Sequence, residues 1–230
     1  MKQRLIIYAK RPLGRYAKTR LGAEIGTEQA AGVYARLLYT LLIDVTSADL
    51  PNTVLELSVA APEDIAYFES AFPEFTVRAQ LTGNLGTRMA HTFAHAFEAG
   101  AESVVLCGSD IPDLTAAVLK QAFAALDIPD ESGAIPGVIG PAADGGYYLI
   151  GMRAPGAPLF EGIAWSTAAV LAQTLALARR HHVRLTRLPS LSDVDVSTDY
   201  DTWRKSLRRA FPDPDYAFGT VKENPRDPLS

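Results

Sequence analysis

The chain alternates between short apolar runs and longer stretches whose apolar residues recur three and four apart. Its first run, Leu5-Ile6-Ile7-Tyr8, is continuous and β-branched, the pattern of a strand buried on both faces. Residues 28–46 then set Ala31, Tyr34, Ala35, Leu38, Leu41, Leu42 and Val45 on one helical face. Further strands are predicted over 53–59, 75–80, 103–107, 137–139, 147–151 and 183–188. Helices are predicted near 63–71, 86–99, 115–126 and across AAVLAQTLALARR. Before that last helix stands Trp165-Ser166-Thr167, where either hydroxyl can cap the N-terminus. Such alternation predicts a mostly parallel sheet covered on both faces, a three-layer α/β/α architecture.

The alternation breaks once. Between 129 and 151 the sequence PDESGAIPGVIGPAADGGYYLIG leaves no room for a helix, so its two strands are expected to pair across a short loop. The result is an antiparallel insertion in the parallel sheet. From 212 to 230 the chain turns rich in Pro and Asp and reads as an extended tail behind a single domain over 1–211.

Composition adds little to this until charge is considered. The chain has 230 residues, 48% of them apolar, enough for one large core. Its only cysteine, Cys107, excludes an internal disulfide, and no stretch approaches the roughly 20 apolar residues of a membrane span. A cytoplasmic protein is the expectation. Charge is distributed unevenly: the first twenty residues hold seven of the 22 basic side chains (Lys2, Arg4, Lys10, Arg11, Arg15, Lys18 and Arg20) and none of the 26 acidic ones, leaving 15 against 26 for the remainder. This pattern points to a focused anion site and away from a nucleic-acid surface, which would be basic over a whole face.

Four loops at strand ends carry candidate chemistry, since open α/β sheets bind ligands beyond the carboxyl ends of their strands. The first, KRPLGRYAKTRLG, offers Lys18 and Arg20 to phosphate oxygens, the lysine as a mobile point charge and the arginine as a forked donor. Lys10, Arg11 and Arg15 read as solvated cations. A P-loop is excluded because Lys18-Thr19 follows Ala17 where that motif requires glycine. In the second loop, GNLGTRMAHTF, Gly83 and Gly86 permit close backbone approach, and a helix start with Arg88 could meet an anion; the competing reading is a turn with a surface arginine. His91 and His95 stand four apart on that helix without the glutamate of a zinc HExxH motif, and are read as structural or solvent-facing. The third loop, VVLCGSDIPDL, delivers Gly108, Ser109 and Asp110 at the end of an apolar strand, where Asp110 is placed to hold a divalent cation; Asp113 fits a turn or a helix cap. The fourth region combines Asp144-Gly145-Gly146, a strong turn former on the anomalous insertion, with SDVDVSTDYD. There Asp193 and Asp195 alternate with Val194 and Val196, so both carboxylates face one side, and one of them could complete a metal site with Asp110.

Together KRPLGRYAKTRL, GNLGTRM, GSDIPDL, GPAADGGYYLIG, FEGIAWST and DVDVSTDYD resemble, in order and over nearly the whole chain to about Asp201, the signature blocks of a bacterial family of nucleotide-diphospho-sugar transferases of the DUF2064 type. That family is similar to molybdenum-cofactor-type and phospholactate-type nucleotidyltransferases. The resemblance implies a GT-A fold, with Lys18 and Arg20 approaching nucleotide phosphates; Gly83, Arg88 and Ser109 are further candidates for the nucleotide site from their places on the second and third loops. It places Asp110 and Asp195 on a divalent cation, Mg²⁺ or Mn²⁺. Asp144, with Gly145 and Gly146, would line the pocket and accept the acceptor's proton. The chain departs from the family pattern at Gly14-Arg15, where Pro-Gly is usual, and after Asp195, where Asp-Thr-Pro-Glu-Asp is usual. The implied reaction is metal-assisted transfer from a nucleotide-diphospho-sugar to an unknown acceptor. Its rivals are nucleotidyl transfer from an NTP to a phosphorylated acceptor with pyrophosphate release, and a nucleotide-binding module without chemistry.

Overall fold

A computed structural model describes residues 2–13, 17–129, 132–153 and 158–210, with side chains described up to residue 205. Gly14, Arg15 and the 212–230 tail lie outside the described residues. Seven strands form one sheet: β1 (Gln3–Ala9), β2 (Thr53–Val59), β3 (Thr76–Ala79), β4 (Ser103–Cys107), β5 (Ile135–Pro141), β6 (Tyr147–Met152) and β7 (Val183–Arg187). Their order is β3-β2-β1-β4-β6-β5-β7. Pairing is parallel except at β6, which runs antiparallel to both β4 and β5. The expected insertion is thus a hairpin, because the five residues between β5 and β6 cannot cross back over the sheet as a parallel connection must.

The helices are α1 (Thr19–Ile25), α2 (Thr27–Ser47), α3 (Ile65–Ala71), α4 (Leu85–Glu98), α5 (Ala116–Leu126), α6 (Val170–Arg180) and α7 (Ser197–Ala210). Strand side chains alternate between two cores. Leu5, Ile7, Val105 and Cys107 pack with α2, α3 and α5, while Ile6, Val104 and Leu106 pack with α4 and α6. This two-sided burial is why the strands read as unbroken apolar runs. A third cluster joins Leu21 of α1, Val33 and Leu37 of α2, Val194, and Tyr200 of α7.

Two details differ from the sequence reading, at the start of α6 and at Arg11, while Asp113 takes the turn position expected of it. Helix α6 starts at Val170 behind Ala169, with no side-chain cap: Thr167 donates to Ala164 O at 2.7 Å and Ser166 has φ 64°, so the Trp-Ser-Thr segment forms a turn ahead of the helix. Asp113 lies in a turn, and the carboxylate at the start of α5 is Asp44 of α2, which accepts from Ala116 N at 2.6 Å. Arg11 is not a solvated cation: its guanidinium lies 4.5 Å over the ring of Tyr67.

Candidate active site

From β1 the chain moves outward through β2 to β3, then returns to place β4 on the other side of β1. The crevice at the carboxyl ends of β1 and β4 is therefore the topological switch point, where open α/β sheets bind ligands. A buried hydroxyl relay joins the two strand ends. Tyr34 of α2 accepts from Lys10 N and shares a 2.9 Å hydrogen bond with Ser109 Oγ, which donates to Tyr8 O at 2.8 Å. Burial pushes the Tyr34 phenol up to about 12, so it remains a hydroxyl at any physiological pH. Ser109, 5% exposed, is committed to this relay.

One residue further on, Asp110 emerges half-exposed. Asp193 and Asp195 come from the segment between β7 and α7, and with Asp110 they form a group of carboxylates whose oxygens lie within 4.8 Å of one another. It is the only such group of metal-capable side chains among the described residues, and it includes neither His91 nor His95. The alternation read from the sequence holds because Val194, 1% exposed, anchors between the two aspartates in the third core cluster. Val194 N donates to Asp110 O at 3.4 Å, and Asp199 in the first turn of α7 accepts from the backbone amides of Asp195 and Val196. Both segments that bear the carboxylates are therefore fixed.

Lys18 stands within this group. Its Nζ donates to Asp110 Oδ2 and to Asp195 Oδ1, each at 3.0 Å, and its side chain is only 4% exposed. Burial alone would lower the Lys18 pKa, but the two carboxylates outweigh it and the net shift is upward. Its backbone is left-handed, φ 50° and ψ 51°, a conformation costing a non-glycine residue about 1–3 kcal/mol and kept where the surroundings over-determine it. Arg20 lies at the rim, 75% exposed, with Nη1 3.7 Å from Asp195 Oδ2. For Asp193, burial and then the neighbouring charges of Asp195 and Asp110 raise the carboxyl pKa. Two of the three carboxylates already grip an ammonium, and three hard oxygen donors this close together could hold a divalent cation.

The other candidate residues sit around this centre. Asp144 tops the β5–β6 turn, where its Oδ1 accepts from Gly146 N at 2.8 Å. Gly145 is held at φ 89° against the turn that precedes α6, where an added Cβ would lie 2.4 Å from Ala168 O. Ala143 N donates to Leu191 O, so this turn neighbours the segment carrying Asp193 and Asp195. Gly83 has φ 132° and precedes Asn84, whose side chain caps α4 by accepting from Thr87 N. Gly86 gives close packing, since a Cβ there would be 2.7 Å from both Phe160 O and Trp165 Nε1. Arg88 donates to Gln80 Oε1 at 2.7 Å. A small cavity of about 130 Å³, lined by Tyr8, Met89, Gly108 and Tyr147, opens between α4 and the ends of β1 and β4.

Sequence reasoning missed Tyr34 and Gln80. Tyr34 lay in a helical stripe of core residues, and no local signal separates a buried hydroxyl with partners from one more apolar position.

The sequence matches a family model described as uncharacterized protein conserved in bacteria (DUF2064) over residues 43–167. The chain belongs to the DUF2064 family. No curated protein matches it. Among solved structures it is similar to a candidate nucleotide-diphospho-sugar transferase from Desulfovibrio desulfuricans G20, at 30% identity and TM-score 0.82, covering 97% of this chain and 96% of that one. At 10% identity and TM-score 0.56 it resembles a CMP:2-keto-3-deoxy-manno-octonic acid synthetase complexed with CTP, covering 92% and 100% of the two chains. A Pyrobaculum calidifontis mannosyltransferase in complex with GDP-Man and Mn²⁺ matches at 14% identity and TM-score 0.53, covering 91% of this chain and 61% of that one. This DUF2064 member therefore has the GT-A type of α/β fold expected of it. Among its described residues, no helix is long and apolar enough to cross a membrane.

Proposed function

We propose that this DUF2064 protein is a metal-dependent transferase using a nucleotide-diphospho-sugar donor. The observation that carries the reading is the gathering of Asp110, Asp193 and Asp195 at the β1–β4 switch point. Support comes from the 30% identical Desulfovibrio protein and from the Mn²⁺ and GDP-Man in the Pyrobaculum enzyme of the same fold type.

In this reading the three aspartates hold Mg²⁺ or Mn²⁺, which when bound neutralises charge on the diphosphate leaving group. Arg20, exposed at the rim, pairs with a phosphate oxygen, and Lys18 is the second phosphate cation. Arg88, held by Gln80, borders the donor, and Gly83 and Gly146 line its approach. The acceptor oxygen forms the new bond to the anomeric carbon as the bond to the diphosphate breaks, and the electron pair leaves with the nucleotide. The acceptor's proton passes to Asp144, whose turn abuts the Leu191–Asp195 segment. The domain over 1–211 is the catalytic unit.

The test is product analysis of purified protein with Mg²⁺ or Mn²⁺ against panels of nucleotide-diphospho-sugars and NTPs. Release of nucleoside diphosphate and free sugar, with water as acceptor, and its loss in Asp110→Asn, is the expected result. Pyrophosphate release from an NTP would replace the proposal with nucleotidyl transfer, and nucleotide binding with no turnover would replace it with a non-catalytic module.

A further inference from the structure

Lys18 has more order than a phosphate-binding lysine waiting for its ligand requires. A mobile cation would extend into solvent, as Arg20 does at 75% exposure, yet the Lys18 side chain is 4% exposed and bonds two carboxylates from segments 92 and 177 residues away. The buried flanks Ala17 and Leu21 and the left-handed backbone direct it inward. It does not serve as a helix cap, since no side-chain hydrogen bond is made at the start of α1.

We propose that Lys18 is a built-in counter-cation, which a divalent ion must displace from Asp110 and Asp195 before it can bind. This inference rests on the metal-dependent reading above. The ammonium stands 3.0 Å from one oxygen of each aspartate. An ion bridging the same two oxygens at the roughly 2.1 Å of a small divalent cation would lie only about 2–4 Å from that ammonium, so the two cations exclude each other. Lys18 keeps the three carboxylates compatible while the metal is absent. It also sets a penalty on bare metal, which is relieved when an incoming diphosphate offers the released Nζ a new anionic partner. The site thereby favours metal and nucleotide arriving together.

Two measurements test this, neither of them an activity assay. The first is Mn²⁺ affinity without nucleotide, read from the electron paramagnetic resonance of free Mn²⁺, for wild type and Lys18→Met. Removing the competing charge is expected to tighten binding by about tenfold or more. Equal or weaker binding by a variant that still melts cooperatively overturns the Lys18 assignment and leaves the transferase reading standing. Loss of all Mn²⁺ binding in both proteins overturns the assignment and the metal-dependent reading alike. The second measurement needs no variant: wild type is acylated with a succinimidyl ester, and Lys18 modification is followed by peptide mass spectrometry as Mn²⁺ is added. Labelling of Lys18 is expected to rise in step with metal occupancy. Unchanged labelling at saturating Mn²⁺ overturns the proposal.

Discussion

Replacing Tyr34 by Phe deletes a single oxygen from the relay that ties β1 to β4. Its hydroxyl accepts from Lys10 N and bonds Ser109 Oγ, both at 2.9 Å, in a site where Tyr34 is 6% exposed. Each such bond contributes a net ~1 kcal/mol, and a buried partner left unpaired adds to the loss. Tyr34→Phe is therefore expected to cost about 2–3 kcal/mol. In a chain of this size that lowers Tm by roughly 4–12 °C. Ser109→Ala removes the shared bond and also the 2.8 Å bond to Tyr8 O, at a cost of about 2 kcal/mol. Because the two variants lose one bond in common, the double variant should be less destabilised than the sum, with a coupling of about 1 kcal/mol. Equilibrium urea unfolding of the four proteins supplies the cycle. A Tyr34→Phe cost below about 0.5 kcal/mol, or strictly additive singles, would refute the relay as the tie between the strands.

Two further perturbations probe the frame around the site. Glu56 of β2 is 3% exposed and pairs with Arg4 Nη1 at 2.6 Å, so Glu56→Ala leaves a nearly buried guanidinium uncompensated and should cost about 3–5 kcal/mol by urea unfolding. Replacing both residues together with apolar ones of similar volume should restore much of the loss, and a double variant no better than Glu56→Ala would contradict this. Gly145→Ala meets both a positive φ and a carbonyl 2.4 Å from its new Cβ. It should lower stability by about 2 kcal/mol or more in the same assay and displace the Asp144 turn, whereas a neutral substitution would mean that the contact with Ala168 is easily relaxed.

Much of the fold is legible along the chain. Strands β2 and β4 have the predicted bounds; β4 is buried along its whole length and its apolar run ends abruptly at Glu102 and Gly108, while β2 is buried only over its second half. Helices α2, α4 and α5 agree to within one residue at either end, each carrying a stripe of apolar positions against the sheet. The hairpin of β5 and β6 followed from length alone. Helices α1 and α7 are different. The first has seven residues, too few to be stable by themselves, and is completed by Leu21 packing into the third core cluster; α7 adds Tyr200, with Trp203 against it, from a sequence that is mostly polar.

The sequence by itself determined the layers, the reversed strand and the residue types available for chemistry, because period and loop length are local properties. Only the tertiary structure decided which of those residues meet. Lys18, Asp110 and Asp195 are brought within 3.0 Å contacts by the placement of β4 beside β1 and by Val194 and Asp199 fixing the segment before α7. Strand order depends on packing between elements far apart in the chain, and no local pattern records it. For the same reason a lysine read as a phosphate ligand lies between two carboxylates, Ser109 belongs to a buried relay, and Gly86 makes room for Trp165.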